Sequence, residues 1–297
     1  MRLVVTGRVG QVAQALAERG ATRGAEIVHV GRPELDLSDD PGAIIAALEA
    51  ARPDVIVSAA AYTAVDKAES EPELAFAVNE RGAGAVASAA ERLGVPVIHL
   101  STDYVFDGAK SGPYVEDDST GPITVYGRSK LAGEQAVLAA MDNAAVLRTA
   151  WVYSPFGANF VKTMLRLAQT RDELGVVSDQ RGNPTSALDI ADGIIAVARN
   201  LVAGSGAHLR GVFHMAGAEE ATWASFAEAI FGESQALGGP TAAVKPIPTA
   251  DFPTPARRPA NSRLDGGRLL AAHGVQLPSW RQSLPDIVRR LVGTASN

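Results

Sequence analysis

Residues 2–13 read RLVVTGRVGQVA, which is a short apolar run, a glycine-rich turn and the start of a helical stretch. Gly7 permits a tight turn, Gly10 lets the backbone approach a ligand closely, and the following helix offers free N–H groups and a positive dipole. This context predicts a pyrophosphate site for a dinucleotide, and the alternative is a purely structural turn. The spacing is Gly-x-x-Gly-x-x-Ala, with Ala13 in the third place. The residues of this turn predicted to contact the cofactor are Gly7, Gly10, Gln11 and Val12.

Beyond the turn, short β-branched runs alternate with helical stretches, which indicates βαβ units and a parallel sheet. The predicted strands are 2–6, 26–30, 54–58, 95–101, 145–149 and 212–215. The predicted helices are 11–19, 42–51, 73–93, 126–141, 160–169 and 188–201. We therefore expect an α/β fold with a doubly wound, Rossmann-like parallel sheet.

Composition excludes several classes of protein. The 297 residues are 46% hydrophobic and 20% charged, as in ordinary globular proteins. A net charge of −6 argues against nucleic acid or an anionic membrane as partners. The absence of cysteine excludes disulfides, thiolate catalysis and cysteine-ligated metals. The apolar run Leu3, Val4 and Val5 is too short for a signal peptide or a membrane span, so a cytoplasmic location is expected.

Three residues predict acid–base chemistry. Tyr126 and Lys130 stand four apart in VYGRSKLAGE and would share one helix face. An ammonium beside a phenol lowers the phenol pKa from its usual ~10 and eases proton transfer to a carbonyl oxygen. Thr102 ends the stretch VPVIHLST at the sheet edge where ligands bind, so its hydroxyl could bond a substrate carbonyl. The alternatives are two exposed helix residues and a threonine that only ends a strand.

Two further segments concern the cofactor. Arg32 follows the second strand, where no acidic residue stands to hold a ribose 2′-hydroxyl, and Arg8 lies in the turn. An arginine there suits a 2′-phosphate, which favours NADPH with NADH possible, although a solvated surface arginine is the alternative. Ala59, Ala60 and Ala61 follow the third strand, where small residues let the backbone pass the ribose and pyrophosphate or simply pack closely.

Eight stretches together resemble a known family. They are TGRVGQVA, ELDLSD, PDVIVSAAAYTAVDKAESEP, HLSTDYVFDG, VYGRSKLAGEQAV, LRTAWVY, DQRGNPTS and RRPANSRL. They resemble the extended short-chain dehydrogenase/reductase superfamily and, within it, the dTDP-4-dehydrorhamnose reductases. This resemblance implies NADPH-dependent reduction of the 4-keto group of dTDP-4-dehydro-β-L-rhamnose to dTDP-β-L-rhamnose, for polysaccharide biosynthesis. In that scheme Tyr126 donates the proton, Lys130 lowers the phenol pKa and binds the nicotinamide ribose, and Thr102 orients the carbonyl.

The resemblance also extends the site. Asp36 and Leu37 in ELDLSD match the segment along the adenine, although Asp36 would equally suit a cap or turn. Asp103 and Tyr104 follow Thr102 and are expected to contact the substrate. Related nucleotide-sugar dehydratases carry an Asp-Glu pair here, so Tyr104 in place of the second acid argues against dehydration.

Three residues further along the chain complete the predicted nucleotide-sugar site. Trp151 resembles the family's sugar-packing aromatic residue, and the alternative is a core tryptophan. Arg181 and Arg258 could clamp a diphosphate through charge-assisted bonds, or they are surface residues without a role. The five histidines, at positions 29, 99, 208, 214 and 273, lack metal-ligand spacing and receive no role.

The domain division follows from a composition change after about Trp151 and from the resemblance. Residues 1–150 are the predicted dinucleotide-binding domain. Residues 151–297 are mainly a smaller C-terminal substrate domain, with a return to the sheet near 188–216. Six prolines within 239–261 exclude long regular structure there.

The sequence departs from some relatives in the residues that would bind a metal ion. Some relatives are described as dimers bridged by Mg²⁺ through glutamates, one of them in the first helix. That helix here reads QVAQALAER, and Leu188 and Arg281 stand where other acids would be sought, so Mg²⁺ is doubtful and no metal site is predicted. A regulatory subunit resembling the β subunit of methionine adenosyltransferase, or a reductase of another nucleotide 4-keto sugar, remains the alternative. A monomer or a homodimer is expected.

Overall fold

A computed structural model describes residues 1–293, and a six-stranded parallel sheet is its largest element. The strands are β1 (Arg2–Thr6), β2 (Glu26–Val30), β3 (Val55–Ser58), β4 (Val97–Thr102), β5 (Ala144–Thr149), β6 (Val152–Tyr153), β7 (Glu173–Val177), β8 (Arg181–Gly182), β9 (Thr185–Ser186), β10 (Gly211–His214), β11 (Ala221–Thr222) and β12 (Ala243–Ile247). The helices are α1 (Gln11–Thr22), α2 (Pro41–Ala50), α3 (Val65–Ala68), α4 (Pro72–Phe76), α5 (Ala83–Leu93), α6 (Val125–Ala140), α7 (Phe160–Leu167), α8 (Ala187–Ala203), α9 (Trp223–Ala236), α10 (Gly267–His273) and α11 (Trp280–Gly293).

The large sheet has the order β10-β5-β4-β3-β1-β2, with every pair parallel. All four residues of β3 are buried, as expected for a parallel strand covered on both faces. The strand order changes direction between β1 and β3, and open α/β sheets bind ligands at such a point. The predicted α/β fold with a Rossmann-like parallel sheet is confirmed.

Two apolar layers enclose this sheet, because alternate residues of each strand face opposite sides. Leu16 of α1 and Ile194 of α8 pack on one face. Leu48 of α2, Val86 of α5 and Val137 of α6 pack on the other. A third apolar cluster lies in the C-terminal half of the chain, where α7, α9 and α11 pack together. Within residues 1–293, no helix combines the length and apolar character needed to cross a bilayer.

The predicted helix 73–93 differs from the structure. It consists of α4, a π-helical turn at Ala77–Gly82, and α5. At Gly82 the turn lies against other backbone, since a Cβ there would be only 2.4 Å from the Leu37 carbonyl oxygen. Asn79, inside the turn, accepts from the Tyr62 N–H at 2.8 Å and donates to the Tyr62 carbonyl at 3.1 Å. Such contacts over long sequence distances cannot be read from helical periodicity.

The proline-rich segment contains one short strand. β12 spans five residues and pairs in parallel with β7 in a separate two-stranded sheet. Pro246 has no N–H group to donate. It is tolerated because each strand of a two-stranded sheet has one outer edge that forms no ladder hydrogen bonds.

Candidate active site

Helix α6 approaches other backbone closely at two glycines, once at the turn after β4 and once at the π-helical turn Ala77–Gly82. A Cβ at Gly127 would be 2.2 Å from the Tyr104 carbonyl oxygen, and one at Gly133 would be 2.0 Å from the Asn79 carbonyl oxygen. The helix begins after Thr124, whose hydroxyl accepts from the Gly127 N–H at 3.0 Å. Residues between these glycines therefore have little freedom to move relative to the end of β4.

Tyr126 lies at the start of α6, with its ring edge-on to Tyr104 at 5.5 Å between centroids. Burial raises the pKa of Tyr126 to about 12, and hydrogen bonding with Thr102 opposes that change. The expected lowering of this pKa by Lys130 is not found, because the influences on the phenol are burial, Thr102 and Asp103, and Lys130 is not among them. Tyr126 therefore keeps its proton at neutral pH.

Lys130 lies one turn further along α6 and is buried. Its Nζ donates to the Leu100 carbonyl oxygen at 2.7 Å and is 3.2 Å from Nε2 of His99. Burial lowers the pKa of Lys130 to about 8, against an opposing effect of Glu134. The ammonium is thus fixed to β4, two residues before Thr102.

Thr102 ends β4, and its hydroxyl forms hydrogen bonds with the next two residues. Its hydroxyl donates to Oδ1 of Asp103 at 2.8 Å and accepts from the Tyr104 N–H at 3.2 Å. Asp103 is buried, and burial raises its pKa to about 6. The orientation of the threonine hydroxyl is therefore set by Asp103.

A buried ion pair lies one turn beyond Lys130 on the same helix. Glu134 accepts two hydrogen bonds from Arg148 of β5, at 2.9 and 2.7 Å, and one from Ser101 of β4 at 2.5 Å. The two charged side chains are only 3% and 5% exposed. This pair joins α6 to both strands that carry the site.

The glycine turn provides free N–H groups beside the sheet edge. Helix α1 begins after Gly10, which has no side-chain cap, and its first turn holds no acidic residue. A Cβ at Gly10 would meet nothing within 4 Å, whereas Gly7 has a φ of +90° that favours glycine. The Thr6 hydroxyl accepts from the N–H groups of Ala59 and Ala60, both at 3.0 Å. The turns after β1 and β3 are therefore brought together.

Gln11 and Val12 follow this turn with their side chains already engaged. Oε1 of Gln11 accepts from the Ser154 hydroxyl at 2.7 Å and from Nδ2 of Asn159 at 3.1 Å. Val12 packs against the apolar layer around α1 and α8. Ala61, after β3, is partly exposed. Gln11 and Val12 can therefore contact a ligand through their backbone atoms rather than their side chains.

Both arginines near the second strand are paired with carboxylates. Arg32 is 72% exposed, and its Nε donates to Asp36 at 2.5 Å. This bond, together with others, lowers the pKa of Asp36 to about 2. Arg8 pairs with Glu34 at 2.7 Å. Leu37 is buried in the apolar layer under α2 and α5.

Trp151 lies just after β5 in a backbone conformation unusual for a bulky residue, with a φ of 47°. Its ring stacks on Trp223 at 3.5 Å between centroids, and its Nε1 donates to the Ser262 hydroxyl at 3.1 Å. A Cβ at Gly182 would be 2.4 Å from the indole. The indole is therefore held tightly while staying partly exposed.

The two predicted diphosphate arginines lie in different surroundings. Arg258 donates to both oxygens of Asp66, at 3.2 and 2.9 Å, and lines a cleft of about 590 Å³ that includes Phe252. The charges of Arg258 and Asp66 also influence the pKa of Tyr104, whose ring is edge-on to that of Tyr126. Arg181 is not among the residues that line this cleft, and it pairs with Glu220.

Residues 1–293 contain no group of three or more histidine, aspartate or glutamate side chains placed to hold a metal ion. Where α1, α8 and α11 meet, Asp189 accepts a hydrogen bond from Ser283, and two other acids pair with arginines. Glu18 accepts from Arg290 at 2.9 and 2.8 Å, and Asp192 accepts from Arg23 at 3.0 and 2.8 Å.

Four residues that make contacts in the candidate site were not predicted from the sequence. They are His99, Glu134, Arg148 and Asp66. One signal was available for His99, since a lone polar residue in the apolar strand VIHLST must find a buried partner. The other three depend on partners that are distant in the chain.

Comparison with known proteins identifies the family. The model of the family described as the RmlD substrate binding domain matches residues 1–292. The chain belongs to this family. The dTDP-4-dehydrorhamnose reductase of Sinorhizobium fredii is 56% identical over 292 residues, covering 98% of this chain and 97% of that protein. The Escherichia coli dTDP-4-dehydrorhamnose reductase is 41% identical and covers all of both chains. The predicted family is confirmed.

Solved structures in the same family agree with the fold. The dTDP-4-dehydrorhamnose reductase of Bacillus anthracis in complex with NADP has a TM-score of 0.88 and 34% identity, covering 96% of this chain and 98% of that one. A dTDP-4-dehydrorhamnose reductase from Clostridium acetobutylicum has a TM-score of 0.90 and 34% identity, covering 98% of this chain and 99% of that one.

Proposed function

We propose that this protein is an NADPH-dependent reductase that converts the 4-keto group of dTDP-4-dehydro-β-L-rhamnose to the alcohol of dTDP-β-L-rhamnose. The observation that carries the proposal is the grouping of Thr102, Tyr126 and Lys130 at the carboxyl edge of the sheet. The substrate comes from the printed names of the relatives, since family members over the full chain length are dTDP-4-dehydrorhamnose reductases.

The glycine turn fits a dinucleotide. The space beside Gly10 is open, and the uncapped start of α1 offers N–H groups and a positive dipole to a pyrophosphate. Gly7, Gln11, Val12 and the alanines 59–61 complete the proposed contacts through backbone atoms. When bound, the reduced nicotinamide supplies the hydride that reaches C4 of the sugar.

The acid is Tyr126, which donates its proton to the O4 atom as negative charge develops there. A pKa of about 12 ensures that the phenol is protonated at neutral pH. The Thr102 hydroxyl orients the carbonyl by turning its single proton from Oδ1 of Asp103 to the carbonyl oxygen. Lys130 is proposed to bind the nicotinamide ribose. Its positive charge also favours the phenolate that forms when Tyr126 gives up its proton.

The sugar nucleotide is proposed to contact Asp103, Tyr104, Trp151, Arg181 and Arg258. The position of Arg258 on the cleft supports a role toward the diphosphate, although it must then share its charge with Asp66. The stacked, partly exposed indole of Trp151 offers a rigid surface for the sugar ring.

We infer a modest preference for NADPH. Arg32 is exposed and close to the adenine segment at Asp36 and Leu37, so it can meet a 2′-phosphate. Its existing bond to Asp36 reduces the gain, since the two anions compete for one guanidinium. The cytoplasmic location, the choice between monomer and homodimer, and the division at residue 150 stay predictions.

The test is NADPH oxidation with dTDP-4-dehydro-β-L-rhamnose, with other nucleotide 4-keto sugars and without sugar. We expect turnover with the first substrate, and a loss of roughly 10²–10⁴-fold in kcat for Tyr126→Phe with cofactor affinity kept within a few-fold. Tyr153→Phe is the matched control, because its hydroxyl only bonds the Trp280 carbonyl in the C-terminal cluster. If none of the sugars supports turnover, the regulatory alternative is favoured. A near-normal kcat in Tyr126→Phe would remove this residue from the mechanism.

A further inference from the structure

His99 connects the central strands with the active-site helix. It lies on β4, three residues before Thr102, and is 1% exposed. One ring nitrogen, Nδ1, is 3.0 Å from the Ser58 hydroxyl on β3. The other, Nε2, is 3.2 Å from Nζ of Lys130 on α6. The imidazole therefore spans from β3 to α6 through two polar contacts.

The charge of Lys130 fixes the protonation of this ring. An ammonium has three N–H donors and no acceptor, so Nε2 must present a lone pair to it. The ring proton then resides on Nδ1, where the Ser58 hydroxyl can accept it. Burial and the positive charge of Lys130 hold the pKa of His99 well below its usual value, which keeps the ring neutral.

Few other charged groups surround Lys130. Glu134 on the same helix favours the ammonium, but its carboxylate is already paired with Arg148 of β5. Tyr126 on α6 and Asp103 after β4 are the titratable groups toward the reacting end. The neutral polar contacts of Nζ both come from β4, namely the Leu100 carbonyl at 2.7 Å and Nε2 of His99 at 3.2 Å.

We propose that His99 is a positioning residue that fixes Nζ of Lys130 and keeps this lysine protonated at neutral pH. Its effect on turnover rests on the proposed reductase function, whereas its effect on Lys130 does not. The polar contact is what matters, so an acceptor placed at the position of Nε2 should preserve the behaviour of Lys130 even without an imidazole ring.

The direct test is the titration of Lys130 in the cofactor-free protein. The chain has only five lysines, at positions 67, 110, 130, 162 and 245, so [ε-¹³C]lysine NMR gives few signals. Lys130→Met identifies the relevant signal by its loss. His99→Phe keeps a ring and removes the acceptor, while His99→Gln keeps an acceptor at the end of its side chain.

We expect the Lys130 midpoint to fall by roughly one pH unit in His99→Phe, a ten-fold change that is typical of one lost bond to a charged group. In His99→Gln it should stay near the wild-type midpoint. An unchanged midpoint in His99→Phe overturns the proposal. If that variant does not fold, Ser58→Ala replaces it: loss of the acceptor for the Nδ1 proton should lower the midpoint by a smaller amount, and no change overturns the proposal.

Turnover provides the second measurement. The alkaline limb of kcat/KM against pH should move down in His99→Phe by the same interval as the NMR midpoint and stay in place in His99→Gln. Equal losses of kcat in both variants with unmoved limbs would indicate a merely structural histidine and contradict the proposal. Absence of turnover in the wild type, with the NMR shifts as expected, would reject the proposed reductase function and leave the role of His99 supported.

Discussion

The buried charge of Lys130 should make stability depend on pH in a direction fixed by its pKa. Burial lowers that pKa from 10.5 to about 8 in the folded protein. Each ten-fold change in an acid constant corresponds to ~1.4 kcal/mol, so holding the charge costs the folded state on the order of 3 kcal/mol. The cost is fully present below pH 8, where both states are charged. It fades as pH rises from about 8 to 10.5, because the folded state loses its proton first.

Lys130→Met removes this titration while keeping a flexible side chain of similar length. The free energy of unfolding of wild type minus that of the variant should therefore rise by roughly 2–3 kcal/mol between pH 7 and pH 10. Urea unfolding of both proteins, in the same buffers across that range, measures the difference and cancels other titrating groups. Lost bonds to Leu100 and His99 affect the absolute values but not this change with pH.

Lys67→Met is the matched control. Lys67 is exposed, and its hydrogen bond with Glu71 raises its pKa. The stability it contributes is present at neutral pH and is lost as pH rises, so the corresponding difference should fall slightly. A Lys130 difference that stays constant from pH 7 to pH 10, or that falls like the control, would refute the reasoning.

Three further predictions concern the cofactor and the core. Gly10→Ala should leave stability unchanged and weaken NADPH binding at least ten-fold, since the added methyl has space in the free protein but would lie where the pyrophosphate is proposed. Gly232→Ala is the control, because a Cβ added there would also meet nothing within 4 Å. The NADPH affinities of both variants are measured by calorimetric titration, and equal affinities would contradict the proposed site. Arg148→Met should lower the free energy of unfolding by roughly 3–5 kcal/mol, because Glu134 is left charged and buried. Adding Glu134→Leu should recover most of that loss in urea unfolding, and failure to recover would mean that packing rather than charge is responsible. The wild type should show roughly ten-fold higher kcat/KM with NADPH than with NADH. Arg32→Ala should remove most of that ratio, and an unchanged ratio would exclude Arg32 from 2′-phosphate recognition.

The sheet could be predicted closely because its strands are continuous apolar runs. The segments 2–6 and 26–30 match β1 and β2 to the residue, and the other predicted strands differ by one or two residues at their ends. Helical sequence patterns likewise predicted α1, α2, α6 and α8, because these patterns are local. The π-helical turn at Ala77–Gly82 was missed, since its cause is a backbone approach to Leu37 far away in the chain.

In the candidate site, local spacing could predict which side chains of one helix lie together, but not the bonds between distant parts of the chain. Spacing on one helix brings Tyr126 and Lys130 together, and that pattern is local. The pairing of Arg258 with Asp66 joins residues 192 positions apart, which no local pattern can reveal. The balance between burial and charge at Tyr126 also depends on the complete fold, so its raised pKa could not be predicted from the sequence.

The two backbone contacts of α6 bear on how this enzyme could be re-engineered. With Gly127 against Tyr104 and Gly133 against Asn79, even one added methyl would push the helix off its support. Changing substrate range by reshaping this helix would therefore displace Tyr126, the proposed proton donor. Libraries that aim at new sugars should leave α6 intact and vary the loop from Phe252 to Ala260, which lines the cleft from the opposite half of the chain.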